Sequence, residues 1–174
     1  MKKTANIILT GFMGTGKSTV GKKIAERLGW QFIDTDEVIE EKAGVTISNI
    51  FAKQGEAYFR ALERRVIDSV CCGAGKIIAT GGGAMTNEEN AQRLQDSGTV
   101  ICLTAAPEII LSRVQGNTDR PLLHGENPLE KIKTMLTARA KSYAKVDITI
   151  DTSQISIDET VETICSRLEI DLRA

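Results

Sequence analysis

Residues 11–18 read GFMGTGKS, a G-x-x-x-x-G-K-S pattern set between the apolar run NIILT (6–10) and a helical stripe of Val20, Ile24 and Leu28. Few features constrain a fold as tightly. Glycines at this spacing let backbone N–H groups wrap an anion, and a strand before with a helix after is the context in which the pattern acts as a phosphate-binding loop. The N–H groups from Gly14 through Thr15, Gly16, Lys17 and Ser18 to Thr19 are the expected cradle for nucleotide phosphates. Lys17 supplies a positive charge for the β- and γ-phosphates, and Ser18 a hydroxyl for Mg²⁺.

Further apolar runs recur at 31–34 (QFID), 76–80 (KIIAT), 99–104 (TVICLT) and 147–151 (DITID). They are near-continuous rather than alternating, as when helices cover both faces of a parallel sheet. Helical stripes separate them, the last being Ile157, Val161, Ile164 and Leu168. Gly29 and Gly44 mark helix ends, Thr46 is placed to cap the run that follows, and Gly73 to Gly75 close another helix. The expectation is a three-layer α/β/α sandwich on a five-stranded parallel sheet. With 174 residues, 41% of them hydrophobic, the chain reads as a single domain.

Asp34-Thr35-Asp36 closes the second run, and two residues apart on an extended segment share a face. On that reading both acids project from the carboxyl edge of the sheet, where ligands bind. Asp34 is the expected metal-side carboxylate, since KIIAT runs straight into Gly81-Gly82-Gly83 with no competing acid. A second reading leaves Asp36 as a helix cap.

Charge is balanced, with 22 basic and 23 acidic residues. No field is expected that would attract nucleic acid or a membrane surface. The opening MKKTANIILTG has too short an apolar run for a signal peptide or a span, so a cytosolic location is expected. Four cysteines, Cys71, Cys72, Cys102 and Cys165, show neither zinc nor C-x-x-C spacing and read as free thiols. A lone histidine, His124, excludes a multi-histidine metal site. The polar segment 116–128 exceeds the usual connection length, and a lid over the site is expected at about 114–128, carrying Arg120.

Together, GFMGTGKST (11–19), DTD (34–36), GEAYFRALE (55–63), IIATGGG (77–83), RPLL (120–123) and R-x-x-x-Y (139–143) resemble shikimate kinase, in order from about residue 6 to residue 165. The resemblance implies a P-loop fold like that of the nucleoside monophosphate kinases and Mg²⁺-dependent transfer of the γ-phosphoryl of ATP to the 3-hydroxyl of shikimate, on the route to chorismate and aromatic amino acids. It implies a carboxylate held by Arg60 and Arg139, and ring hydroxyls held by Asp36 and the backbone at Gly82. Asp36 would take or orient the 3-hydroxyl proton, Arg120 would close from the lid, and Arg113 and Gln154 would lie by the adenine. Shikimate is then the small-molecule partner, and the enzyme is expected to be a monomer. Glu63 stands one turn from Arg60 and is placed to steady it.

One departure concerns the adenine loop, where many relatives carry a proline two residues after the glutamine and this chain has Ser156. Gluconate and nucleoside monophosphate kinases are the neighbouring readings, but they lack the joint FR, TGGG and RPLL set. A neutral polyol would also leave both arginines without a carboxylate. A regulatory module that has lost catalysis would show damage at Lys17, Asp36, Arg60 or Arg139, and all four are intact.

Overall fold

The computed structural model describes residues 5–115 and 127–170. Residues 116–126 of the expected lid, with Arg120 and His124, lie outside the described residues.

Five strands, β1 (Asn6–Gly11), β2 (Gln31–Asp34), β3 (Lys76–Ala79), β4 (Thr99–Thr104) and β5 (Ile148–Asp151), form one parallel sheet in the order β2-β3-β1-β4-β5. Seven helices connect or follow them: α1 (Lys17–Leu28), α2 (Thr35–Ala43), α3 (Ile47–Val70), α4 (Glu88–Ser97), α5 (Pro107–Val114), α6 (Pro128–Tyr143) and α7 (Ile157–Arg167). A 3-10 turn, Ala84–Thr86, precedes α4. β1 sits at the centre, and the chain departs to opposite sides of it, so its carboxyl end is the switch point where ligands bind in such sheets.

Successive strand residues point to opposite faces, which divides the core in two. On one face Ile7, Leu9, Ile77, Ile101 and Leu103 pack against Val20 and Ile24 of α1 and Val161 and Ile164 of α7. On the other, Ile8, Ile78 and Val100 pack against Ile39 of α2, Val66 and Ile67 of α3 and Leu94 of α4. Each side chain so buried contributes roughly 1.5–3 kcal/mol relative to exposure. The continuous apolar reading holds for the inner strands β1, β3 and β4. At the edges it weakens: Gln31 of β2 and Thr149 and Asp151 of β5 are exposed.

Helix ends follow their local chemistry. Gly29 and Gly44 take left-handed conformations at the C-caps of α1 and α2, and the Thr46 hydroxyl accepts from the Asn49 N–H at 3.3 Å to cap α3. Gly55, at φ 83° and ψ 175°, interrupts α3 and so sets the angle at which Arg60 and Glu63 approach the sheet. β5 begins at Ile148 rather than Asp147; Asp147 pairs with Val100 just before it, its N–H donating to the Val100 carbonyl at 3.0 Å and its carboxylate accepting the Val100 N–H at 2.8 Å. All four cysteines are free, and only Cys72 is exposed. Among the described residues no helix is long and apolar enough to cross a membrane.

Candidate active site

β1 leaves the sheet at Gly11, where a Cβ would stand 2.1 Å from the Leu103 carbonyl oxygen of β4, so only glycine fits. The loop then closes on one atom. The Phe12 carbonyl accepts from the Thr15 hydroxyl at 2.8 Å and from Lys17 Nζ at 2.9 Å. Gly14 and Gly16, at φ 75° and 94°, turn the backbone so that successive N–H groups face one concavity.

Gly16 is the N-cap of α1, and no side chain bonds the first free N–H groups of that helix. Its first turn carries no acid either. The other described helices have a side-chain cap, an acidic first turn, or both. The positive end of α1 is therefore left for a ligand's negative charge.

Beside it, the Ser18 hydroxyl donates to Asp34 Oδ2 at 2.8 Å. A hydroxyl and one carboxylate, with no third acidic, histidine or cysteine group clustered among the described residues, suit a hard cation that keeps waters and shares phosphate oxygens. Mg²⁺ fits this pair.

The expected shared face of Asp34 and Asp36 does not form. α2 starts at Thr35, directly after β2, so Asp36 lies on a helical turn and not on an extended segment. Asp34 is the cap: its Oδ1 accepts the Asp36 N–H at 3.0 Å. The capping reading of Asp36 is likewise corrected, and the two carboxylates part company, Asp34 toward Ser18 and Asp36 toward Gly81.

Gly81, Gly82 and Gly83 follow β3 on the same edge of the sheet. A Cβ on Gly81 would stand 2.8 Å from Asp36 Oδ1, one on Gly82 2.8 Å from Arg139 Nη1, and one on Gly83 2.8 Å from Arg60 Nη2. Each glycine thus admits one polar side chain from a different helix. The Gly82 position also lies 3.3 Å from the Gly11 carbonyl oxygen, so this loop abuts the phosphate loop.

Arg60 donates to Glu63 at 2.7 Å and, more weakly, to Glu56 at 3.4 Å. Glu63 is only 1% exposed. Burial pushes its carboxyl above the usual range, against the pull of Arg60 and Arg139. Arg60 in turn is held more firmly protonated: burial alone would lower its pKa, but Glu63 and Glu56 together outweigh it. Arg139 lies 5.4 Å over the Phe12 ring, a cation–π contact that ties the α6 arginine to the phosphate loop. The Tyr143 hydroxyl donates to the Gly82 carbonyl at 2.7 Å and holds the glycine loop from below. Two guanidinium groups and a carboxylate around one glycine loop can orient a small polyhydroxy acid, with the guanidinium forks on its carboxylate and the acid on a hydroxyl.

A protein-family model described as shikimate kinase matches residues 13–169. Shikimate kinases of Thermoanaerobacter pseudethanolicus and Geobacter sulfurreducens are 49% and 47% identical, over 91% and 92% of this chain and 93% and 89% of theirs. The chain belongs to the shikimate kinase family. As a family member it is an ATP-dependent phosphotransferase that works with Mg²⁺. Among solved structures, the Acinetobacter baumannii shikimate kinase in complex with shikimate superposes with a TM-score of 0.91 at 38% identity, covering 97% of this chain and 94% of that one. Shikimate kinase from Aquifex aeolicus gives 0.83, also at 38% identity, over 94% and 96%.

Within this family frame, the structure places Gly14 through Thr19 at the loop and the first turn of α1, with Thr15 buried and Thr19 exposed. Asp36, Arg60, Gly82 and Arg139 come together as described. Arg113 and Gln154 do not meet by contact. Gln154 is exposed in the loop after β5, whereas Arg113 donates to the Gly14 carbonyl at 3.2 Å and to Thr152. Ser156, at the departure from proline, caps α7: its hydroxyl accepts the Glu159 N–H at 3.2 Å and Glu159 accepts the Ser156 N–H at 2.7 Å. A reciprocal capping box thus fixes the entry into α7 without a proline. Thr152 holds the phosphate loop through the Thr15 carbonyl and Tyr143 holds the glycine loop through the Gly82 carbonyl; nothing local in the sequence marks Thr152, whereas Tyr143 closes the R-x-x-x-Y motif.

Proposed function

We propose that this chain transfers the γ-phosphoryl group of ATP to the 3-hydroxyl of shikimate, giving shikimate 3-phosphate and ADP. The observation that carries the reading is the glycine triad, which brings Asp36, Arg139 and Arg60 to one loop set against the phosphate loop. A neutral acceptor would bring no carboxylate to the forks of Arg60 and Arg139.

On this reading Arg60 and Arg139 bind the shikimate carboxylate, and Asp36 with the backbone at Gly82 orients the ring hydroxyls. Glu63 holds the Arg60 fork in place before substrate arrives, so little freedom remains to be lost on binding. Asp36 accepts the proton of the attacking hydroxyl as the new bond to phosphorus forms. Backbone N–H groups from Gly14 to Thr19, with Lys17 and the end of α1, receive the charge of the phosphates. Ser18 and Asp34 hold Mg²⁺, which supplies further positive charge when bound. Arg120 from the 114–128 segment completes the phosphate side, and Arg113 and Gln154 flank the adenine. The protein acts alone in the cytosol as a single-domain monomer, without nucleic acid or membrane.

A coupled ADP-release assay with shikimate, quinate, gluconate and AMP as rival acceptors tests this. Turnover with shikimate at a kcat/KM at least about 100-fold above the other three is expected. Preference for gluconate or AMP would overturn it, as would ATP binding with no acceptor phosphorylated.

A further inference from the structure

Thr152 follows β5 directly and is 3% exposed. Its N–H donates to the Thr104 carbonyl at 2.8 Å, which extends the β4–β5 ladder by one step. Its hydroxyl lies 3.0 Å from the same carbonyl and 3.3 Å from the carbonyl of Thr15, and accepts from Arg113 Nη1 at 3.0 Å. A hydroxyl has one proton to give and lone pairs to receive. The two carbonyls therefore share the proton, and the guanidinium takes a lone pair. Arg113 also donates Nη2 to the Thr152 carbonyl at 2.7 Å and Nη1 to the Gly14 carbonyl at 3.2 Å.

These bonds grip the phosphate loop at two consecutive peptide units. A peptide is planar and trans, so its C=O and the following N–H point in opposite directions. Holding the Gly14 carbonyl aims the Thr15 N–H, and holding the Thr15 carbonyl aims the Gly16 N–H. Both are N–H groups that the phosphates need. With glycine at 14 and 16, both in left-handed conformations, the loop's own sterics leave these planes free to turn, and an outside grip must set them.

We propose that Thr152 is a positioning residue for the nucleotide phosphates: through its hydroxyl and Arg113 it fixes the 14–15 and 15–16 peptide planes with their N–H groups directed into the phosphate loop. This rests on reading that loop as the ATP site. It also gives Arg113 a task apart from adenine contact.

The test compares the full-length wild type with Thr152→Val and Thr152→Ser, titrating ADP and, separately, inorganic tripolyphosphate, and measuring KM for ATP and for shikimate. Loss of the hydroxyl's contacts to the Thr15 carbonyl and to Arg113 is expected to weaken ADP and tripolyphosphate by about 10-fold each in the valine variant. KM for ATP should rise in step while KM for shikimate stays within about 2-fold, and serine should restore the wild-type values. Weakened ADP with unchanged tripolyphosphate would place the effect at the adenine loop and overturn the proposal. Unchanged binding of both ligands would do so as well. A wild type that binds neither ligand would instead sink the ATP reading. If the valine variant fails to fold by circular dichroism, Arg113→Gln, which breaks the Gly14 contact from the surface, must show the same joint loss of ADP and tripolyphosphate.

Discussion

The Asp34 carboxylate serves two masters: Oδ2 accepts the Ser18 hydroxyl at 2.8 Å and Oδ1 accepts the Asp36 N–H at 3.0 Å. One oxygen faces Ser18, with which Asp34 is proposed to hold Mg²⁺, and the other caps α2 and so sets where Asp36 stands. Asparagine caps a helix about as well as aspartate but brings no charge to a cation. Asp34→Asn should therefore keep stability within roughly 0.5 kcal/mol of wild type. The Mg²⁺ concentration for half-maximal turnover should rise roughly 10- to 100-fold. Thermal melts and a Mg²⁺ titration of the ADP-release rate measure the two effects; a large loss of stability with an unaltered Mg²⁺ requirement would show the cap alone to matter.

Asp36 stands against Gly81 of the glycine loop, and on the proposed reading it serves the acceptor. Asp36→Asn removes the base and keeps the shape. ADP affinity should stay within about 2-fold while kcat falls by roughly 10² to 10⁴, the usual span for a lost general base. Calorimetry for ADP beside single-turnover kinetics separates the two, and a kcat near wild type would remove Asp36 from the chemistry.

Gly82 leaves no room for a methyl group beside Arg139 Nη1, the far end of a flexible side chain. The cheap response to Gly82→Ala is for Arg139 to swing away, so the fold should survive and carboxylate binding should not. KM for shikimate should rise about 10-fold in Gly82→Ala and up to about 100-fold in Arg139→Ala, with KM for ATP nearly unchanged, since a lost charge-assisted contact costs on this order. Equal rises for both substrates would count against the assignment.

What the sequence made legible was whatever depends on neighbours in the chain. The phosphate loop, the inner strands and the caps at Gly29, Gly44 and Thr46 are local patterns, and they appear where expected. The fate of Asp34 and Asp36 was not legible, because it turns on whether the helix starts one residue after the strand, the kind of boundary that side-chain capping decides. The cap at Ser156 was not read, although S-x-x-E is the capping-box spacing and Glu159 stands three residues on. The pairing of Gly81 with Asp36, Gly82 with Arg139 and Gly83 with Arg60 joins β3 to three helices far apart in the chain. Only the closed fold brings them into register. Thr152 belongs to the same class: its meaning lies in contacts to residues 15, 104 and 113.

Glu63 is buried beside Arg60, and burial raises its pKa above the ordinary 4.5. A carboxyl that binds its proton more tightly when folded weakens the fold as pH rises, across the window from its ordinary value up to its raised one. Glutamine carries no such slope. The melting temperature of Glu63→Gln, relative to wild type, should therefore climb as pH is raised from 4 through that window and then level off. Activity should move the other way. With the Arg60 fork no longer held by a charge, KM for shikimate at neutral pH should rise by about 10-fold while KM for ATP does not. Melting curves of both proteins across pH, with steady-state kinetics at neutral pH, check the pair of outcomes. A melting difference independent of pH would mean that Glu63 titrates as an ordinary surface carboxylate, and an unchanged KM would mean that Arg60 holds its orientation without it.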